Sequence, residues 1–185
     1  MTLSITNDRA LKKFIRVHQK CPDPWKGTVY ANLRNLSNKK KGDFGEILAT
    51  NHAIQNGFTV VGVPPGIGHD RIFNDLRTEI KFSQAVQVRR AAGKVHKDNY
   101  FVINHLGMHK DWERFVFMGL NTDSTFVIMH FTRENAEGVV ADYFRPQQGG
   151  SGSNNDDFIC EINPTKLRRM QEDPRINTIL NPEDW

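Results

Sequence analysis

Cysteine is scarce: Cys21 and Cys160 are the only two, and neither sits in a spaced motif. A disulfide framework therefore has no support, and a reducing cytoplasm is the simplest expected compartment. Long apolar runs are missing too, which leaves no candidate for a membrane-spanning helix. The first residues include Asp8 and lack the apolar stretch of a secretory signal. No internal repeat is found. There is also no glycine-rich phosphate cradle, no zinc-ligand spacing and no Gly-x-Ser-x-Gly nucleophile elbow.

What is present is ordinary for a globular chain: 38% apolar and 25% charged residues, over a length that suits one domain, 1–185. A net charge of +4 and a pI near 9.1 fit a polyanionic partner.

The most informative stretch runs from Gly68 to Phe82 and reads as a β-hairpin turning at Asn74-Asp75. With those two residues as the loop, Phe73 pairs with Leu76, Ile72 with Arg77, Arg71 with Thr78 and Asp70 with Glu79. Alternation then puts Phe73, Leu76, Thr78, Ile80 and Phe82 on a core face. Asp70, Ile72, Arg77, Glu79 and Lys81 fall on the other face. Opposed carboxylates about 5 Å apart repel by roughly 3 kcal/mol at an effective dielectric near 20. A divalent cation held by both would offset that repulsion, and hard oxygen ligands suit Mg²⁺. Lys81 beside it could hold a water and stabilise charge on a phosphate. The same residues also fit a plain surface hairpin with a Glu79–Lys81 ion pair.

Around the hairpin, residues 8–20 read as a helix with Leu11, Phe14 and Ile15 in helical spacing. Lys39, Lys40 and Lys41 form a short basic run, either solvated or in contact with phosphates. Residues 43–55 read as a second helix closed by Asn56-Gly57, with Phe44, Ile47, Leu48 and Ile54 as its apolar stripe. Glu46 lies off that stripe beside Ala49, Thr50 and Ala53. Those small residues would allow close packing with the carboxylate aimed at the hairpin; residue chemistry alone slightly favours a water-facing Glu46. Residues 58–63 read as a strand. Residues 83–95 read as a helix, with Arg89, Arg90 and Lys94 off its buried stripe and available to phosphates. Strands follow at 100–106, 114–120 and 126–131. The polar stretch 145–157 reads as a loop, in which Arg145 and Gln147 could meet base edges. A short basic helix follows Asn163-Pro164. His105 and His109 have helical metal-ligand spacing, but Gly107 intervenes at a strand end, so ordinary histidines are the better reading.

Asp70, a short hairpin and then Glu79-Ile80-Lys81 resemble the active site of the PD-(D/E)XK nuclease superfamily, most like its type II restriction endonucleases. His69 stands where the family usually has proline, with Pro64-Pro65 just upstream. Lys-Gly-Asp-Phe-Gly-Glu46 followed by Asn-Gly-Phe-Thr-Val-Val is similar to the helix–strand unit before the family's hairpin. The resemblance covers roughly residues 42–130. It implies an α/β fold with an αβββαβ core, a mixed sheet flanked by helices. It implies Mg²⁺, replaceable by Mn²⁺, held by Asp70, Glu79 and the Ile80 carbonyl. Glu46 would hold a water or a second metal, and Lys81 would activate the attacking water. The expected reaction is hydrolysis of double-stranded DNA at a specific sequence, leaving 5′-phosphates, by a homodimer. A Holliday-junction resolvase and a catalytically silent DNA-binding domain are the alternatives.

Overall fold

The structure is a computed structural model that describes residues 23–64, 66–89, 95–147 and 157–179, with backbone alone for 86–89 and 95–99. The expected helix at 8–20, Arg90, Lys94 and residues 148–156 of the polar loop lie outside the described residues. No described helix is long and apolar enough to cross a membrane.

Helix α1 spans Asn38–Gln55. It starts earlier than the sequence reading placed it, because Ser37 acts as N-cap: its hydroxyl accepts from the Lys40 amide at 3.3 Å. Lys39, Lys40 and Lys41 thus ride on the first helical turns rather than on a loop. Strand β1 (Val60–Gly62) follows, then the hairpin strands β2 (Arg71–Phe73) and β3 (Leu76–Gln84). Strands β4 (Val86–Arg89), β5 (Val95–Gly107), β6 (Arg114–Leu120) and β7 (Phe126–Thr132) come next. Helix α2 (Arg133–Tyr143), strands β8 (Arg145–Pro146) and β9 (Asp157–Ile162), helix α3 (Pro164–Gln171) and strand β10 (Asn177–Thr178) complete the described chain.

The strands make two sheets, a six-stranded β1-β2-β3-β6-β7-β10 and a four-stranded β4-β5-β9-β8. The larger is mixed: β3 and β6 run parallel, from Thr78↔Arg114 to Gln84↔Leu120, and its other pairs are antiparallel. Both of its faces are covered. On β6, Phe115 and Phe117 join a core with α2, β5 and β9, while Val116 and Met118 join a second core with α1. The fold is α/β, with a mixed central sheet flanked by helices, as expected.

Among the described residues of the expected 83–95 helix, 83–84, 86–89 and 95 are strand. Strand β3 runs on to Gln84, and β4 follows immediately, antiparallel to β5. Val86 and Val88 alternate with Gln87 and Arg89, a period-two pattern that β5 rewards with backbone hydrogen bonds. Arg89 is thus a strand residue. The connection between the parallel strands β3 and β6 passes through the second sheet.

The buried face of α1 agrees with expectation at Phe44 and Leu48, which pack against the cores, and at Ala49 and Ala53; it differs at the two isoleucines. Ile47 and Ile54 are 58% and 55% exposed, whereas Gly45, Ala49 and Ala53 are buried. The helix lies so close on β3 that a Cβ at Gly45 would sit 2.2 Å from Phe82 Cβ. Small side chains make the closest approach, Phe44 packs edge-on against Phe82 with ring centres 5.2 Å apart, and Glu46 neighbours the contact.

Candidate active site

The hairpin has the register read from the sequence: Phe73↔Leu76, Ile72↔Arg77 and Arg71↔Thr78. Its turn residues Asn74 and Asp75 take φ of 47° and 67°. Both lie in the left-handed region that two-residue hairpin loops need. The ladder ends at Arg71↔Thr78; the Asp70 amide donates to the same Thr78 carbonyl at 3.0 Å, so the expected Asp70–Glu79 pair is replaced by a bulge, with Asp70 set beside rather than opposite Glu79.

Strand β2 stops at Arg71, so beyond Thr78 side chains take over the edge of β3. The Ile80 amide donates to Asp70 Oδ2 at 2.7 Å. The N–H and C=O of one strand residue face the same way, so the Ile80 carbonyl shares that side. A cleft of about 490 Å³ opens there. Glu46, Asp70, Ile80 and Lys81 line it, together with Lys41 from α1, Gln84 from β3, and Asn104 and His105 from β5.

Glu79 is 1% exposed. Its Oε1 accepts from Lys81 Nζ at 2.5 Å and from Lys110 Nζ at 2.9 Å. Its Oε2 is buried with no hydrogen-bond partner. Burial, and then the neighbouring Glu79 charge, push the Asp70 carboxyl above its usual pKa. Glu46 is likewise pushed up, first by burial and then by Asp70. Its carboxylate pairs with Arg71 at 3.0 Å, and Arg71 also donates to the Asp70 carbonyl at 2.6 Å.

Among the described residues no three His, Cys, Asp or Glu side chains cluster closely enough to hold one ion. The donor set that fits a hard divalent cation is smaller: Asp70, Glu79 with its unpartnered Oε2, and the Ile80 carbonyl. Mg²⁺ accepts such a set, because it binds through one or two carboxylates and keeps several waters. A cation there would offset both the burial and, after it, the Glu79 charge that raise the Asp70 pKa.

The other expected contacts fall at varied distances from the cleft. Lys41 lines it, and burial and then Arg34 hold its pKa below the usual lysine value. Lys39 and Lys40 are exposed, Lys40 within 3.8 Å of Asp43. Arg145 pairs with Glu161 at 3.3 Å and lines a separate pocket with Tyr100 and Lys166. Gln147 reaches His105 twice, accepting from its amide at 3.0 Å and meeting its ring at 3.2 Å.

The sequence reading missed Arg71, Asn104, His105 and Lys110 as site residues. Arg71 was readable, since it neighbours Asp70. Lys110 is 31 residues from Glu79 and belongs to no motif. His105 carries φ of 53° where β5 slips register against β9 between Ile103 and Leu106. A bulge of that kind re-aims side chains, here toward the cleft.

No protein-family model and no curated protein sequence matches the chain. Among solved structures, that of a bacterial homing endonuclease aligns over 76% of this chain and 86% of its own, with 17% identity and a TM-score of 0.43.

Proposed function

We propose that this chain is a Mg²⁺-dependent endonuclease that hydrolyses double-stranded DNA at a defined sequence, the activity of type II restriction enzymes. One observation carries the reading. Asp70 and Lys81 line one cleft at the hairpin edge, Asp70 bonded to the Ile80 amide and Lys81 to the buried Glu79 just behind it, whose second oxygen is left unpartnered. An unsatisfied buried acceptor costs about 1–3 kcal/mol, and a cation bound at Glu79 Oε2 would remove that cost.

Asp70, Glu79 and the Ile80 carbonyl would hold the metal, and Mn²⁺ would substitute. Bound there, the ion supplies Lewis-acid offset of charge on the scissile phosphate and a more acidic water. Lys81 is hydrogen-bonded to Glu79 and faces the cleft. It orients the attacking water and donates to a phosphate oxygen as charge builds there. Glu46 holds a second water at the helix side of the cleft. The bond from water oxygen to phosphorus forms as the bond to the 3′-oxygen breaks. A 5′-phosphate and a 3′-hydroxyl result.

Lys39, Lys40 and Lys41 give the cleft mouth its attraction for phosphates. Gln84 and Asn104 line the cleft with amides, a side-chain class that pairs bidentately with adenine. Arg89, Arg90, Lys94, Arg145 and Gln147 are candidates for contacts further along the duplex. Each chain has one such centre, and two antiparallel strands need two, so a two-fold homodimer is the working assembly.

Digestion of a mixed-sequence plasmid with Mg²⁺ and sequencing of the ends tests this directly. Discrete, repeated ends bearing 5′-phosphate are expected. Asp70→Asn, Glu79→Gln and Lys81→Met should each lower the rate by about 10²–10³-fold, the scale of losing one charge-stabilising group. Parent-like cutting by Asp70→Asn would refute the assignment.

A further inference from the structure

Lys110 belongs to the connection from β5 to β6, and that connection is fastened to the catalytic hairpin on its far side. Gly68 packs so tightly there that a Cβ would lie 2.7 Å from the Asp111 amide nitrogen. The His69 ring meets the Asp111 carbonyl at 3.0 Å. Arg77 pairs with Asp111 at 3.3 Å and with Glu113 at 3.4 Å. The Glu113 amide donates to the Arg77 carbonyl at 2.8 Å, and the Arg77 amide to Glu113 Oε2 at 3.0 Å. Trp112 is buried beneath Arg133, whose guanidinium lies 4.6 Å from the ring centre. The backbone is thus pinned beside Lys110, which points the side chain at Glu79.

Two ammonium groups then share one oxygen of one buried carboxylate. A single lysine would neutralise Glu79, and the second is repelled by the first. The arrangement balances only when Asp70 is counted: two carboxylates face two ammonium groups. A divalent cation brings the same two positive charges, so the lysines stand where its charge would be felt. They are not equivalent. Lys81 projects from β3 and lines the cleft, with 21% of its side chain exposed. Lys110 comes from a loop, is not among the cleft-lining residues, and is 33% exposed. Only Lys110 can withdraw without leaving the cleft that the reaction uses.

We infer that Lys110 is a built-in counter-cation: it neutralises Glu79 until a divalent cation arrives, yields to it, and thereby sets the metal affinity of the site. The inference rests on the nuclease reading above. Lys110 is a positioning residue here, acting through Glu79 and not on the substrate.

The test is Mn²⁺ binding to the whole chain without DNA, followed by calorimetry or by the free-ion paramagnetic resonance signal. Lys110→Met keeps the apolar stem and removes the charge. Its Mn²⁺ dissociation constant should fall about tenfold, the equivalent of about 1.4 kcal/mol. Lys110→Arg keeps the charge and should stay near the parent. A purely structural lysine predicts the reverse, with equal or weaker binding in Lys110→Met. That result, from a parent whose binding depends on Asp70, overturns the inference and leaves the nuclease reading standing. Absence of Mn²⁺ binding in both the parent and Lys110→Met overturns both. Melting in chelator confirms that the variant is folded, and Lys110→Gln replaces it if it is not.

Discussion

Replacing Gly45 by alanine adds one methyl group where α1 meets β3, and the structure gives that methyl no room. The new Cβ would lie 2.2 Å from Phe82 Cβ and 2.9 Å from Phe82 Cγ. Ordinary carbon contacts begin near 3.5 Å, so the shortfall exceeds about 1 Å. Phe82 Cβ is attached to the strand backbone and cannot rotate away, so the helix must retreat. Overpacking of this kind costs about 1–3 kcal/mol, while replacing a helical glycine by alanine returns about 1. With a shortfall this large the cost falls at the upper end, and Gly45→Ala should destabilise by roughly 1–2 kcal/mol.

Gly42 supplies the control. It lies one turn earlier on the same helix, where an added Cβ meets nothing within 4 Å. Gly42→Ala should therefore stabilise by about 0.5–1 kcal/mol. Urea denaturation of both variants, read by linear extrapolation, measures the two changes. Opposite signs are expected from the same chemical substitution on the same helix. A neutral or stabilising Gly45→Ala would refute the close approach of α1 to the hairpin, and with it the placement of Glu46 over the cleft.

Two further outcomes follow from charge and from backbone conformation. Asp173 accepts from Arg175 Nε at 2.9 Å, from Arg175 Nη2 at 2.6 Å and from Tyr143 at 3.0 Å. The Arg175 hydrogen bonds hold its carboxyl well below the usual range. The stability it contributes is complete above the unfolded aspartate pKa near 3.9 and is lost as pH falls through the depressed folded value. Asp173→Asn should melt below the parent at pH 7, and the gap should close in strong acid; a pH-independent gap in melting temperature would contradict this. At His105, φ of 53° lies in the left-handed region, which glycine adopts freely and β-branched residues resist. His105→Gly should leave stability within about 1 kcal/mol of the parent, whereas His105→Val should cost more than that. Equal urea midpoints for the two would show that the backbone at 105 is not so constrained.

The hairpin was legible because its determinants are local. A two-residue turn fixes the register, and alternation then assigns every side chain to a face. Strands β6 and β7 were legible for the same reason, as compact apolar runs separated by Asn121-Thr122-Asp123-Ser124. The face of α1 was legible in part: Phe44 and Leu48 pack into the cores, and Ala49 and Ala53 allow the close approach. Ile47 and Ile54 looked like core, yet Gly45, Ala49 and Ala53 bring the helix axis closest to the sheet. Helix α2 passed unread although Ala136, Val139, Val140 and Tyr143 follow helical spacing and are all buried. Alternating valines at 86 and 88 carried the strand signal, against a helix reading that took Ser83 as cap and Val88, Ala91, Ala92 and Val95 as its buried stripe.

The unread part of the site has one physical origin. Parallel strands cannot be joined by a tight turn, so β3 and β6 need a connection of a dozen residues or more. The pairing of the two strands says nothing about what that connection contains. A covering helix would satisfy it; here it is a ribbon of the second sheet followed by the pinned segment before β6. Asn104, His105 and Lys110 all arrive on this connection, placed by contacts far away in sequence. Asp70, Glu79 and Lys81 are set by the hairpin alone. On the proposed reading, the chemistry is therefore encoded locally, while the groups that adjust metal affinity and line the cleft opposite the hairpin sit on a separable segment. Substitutions there can retune the site without moving the three residues that would cut.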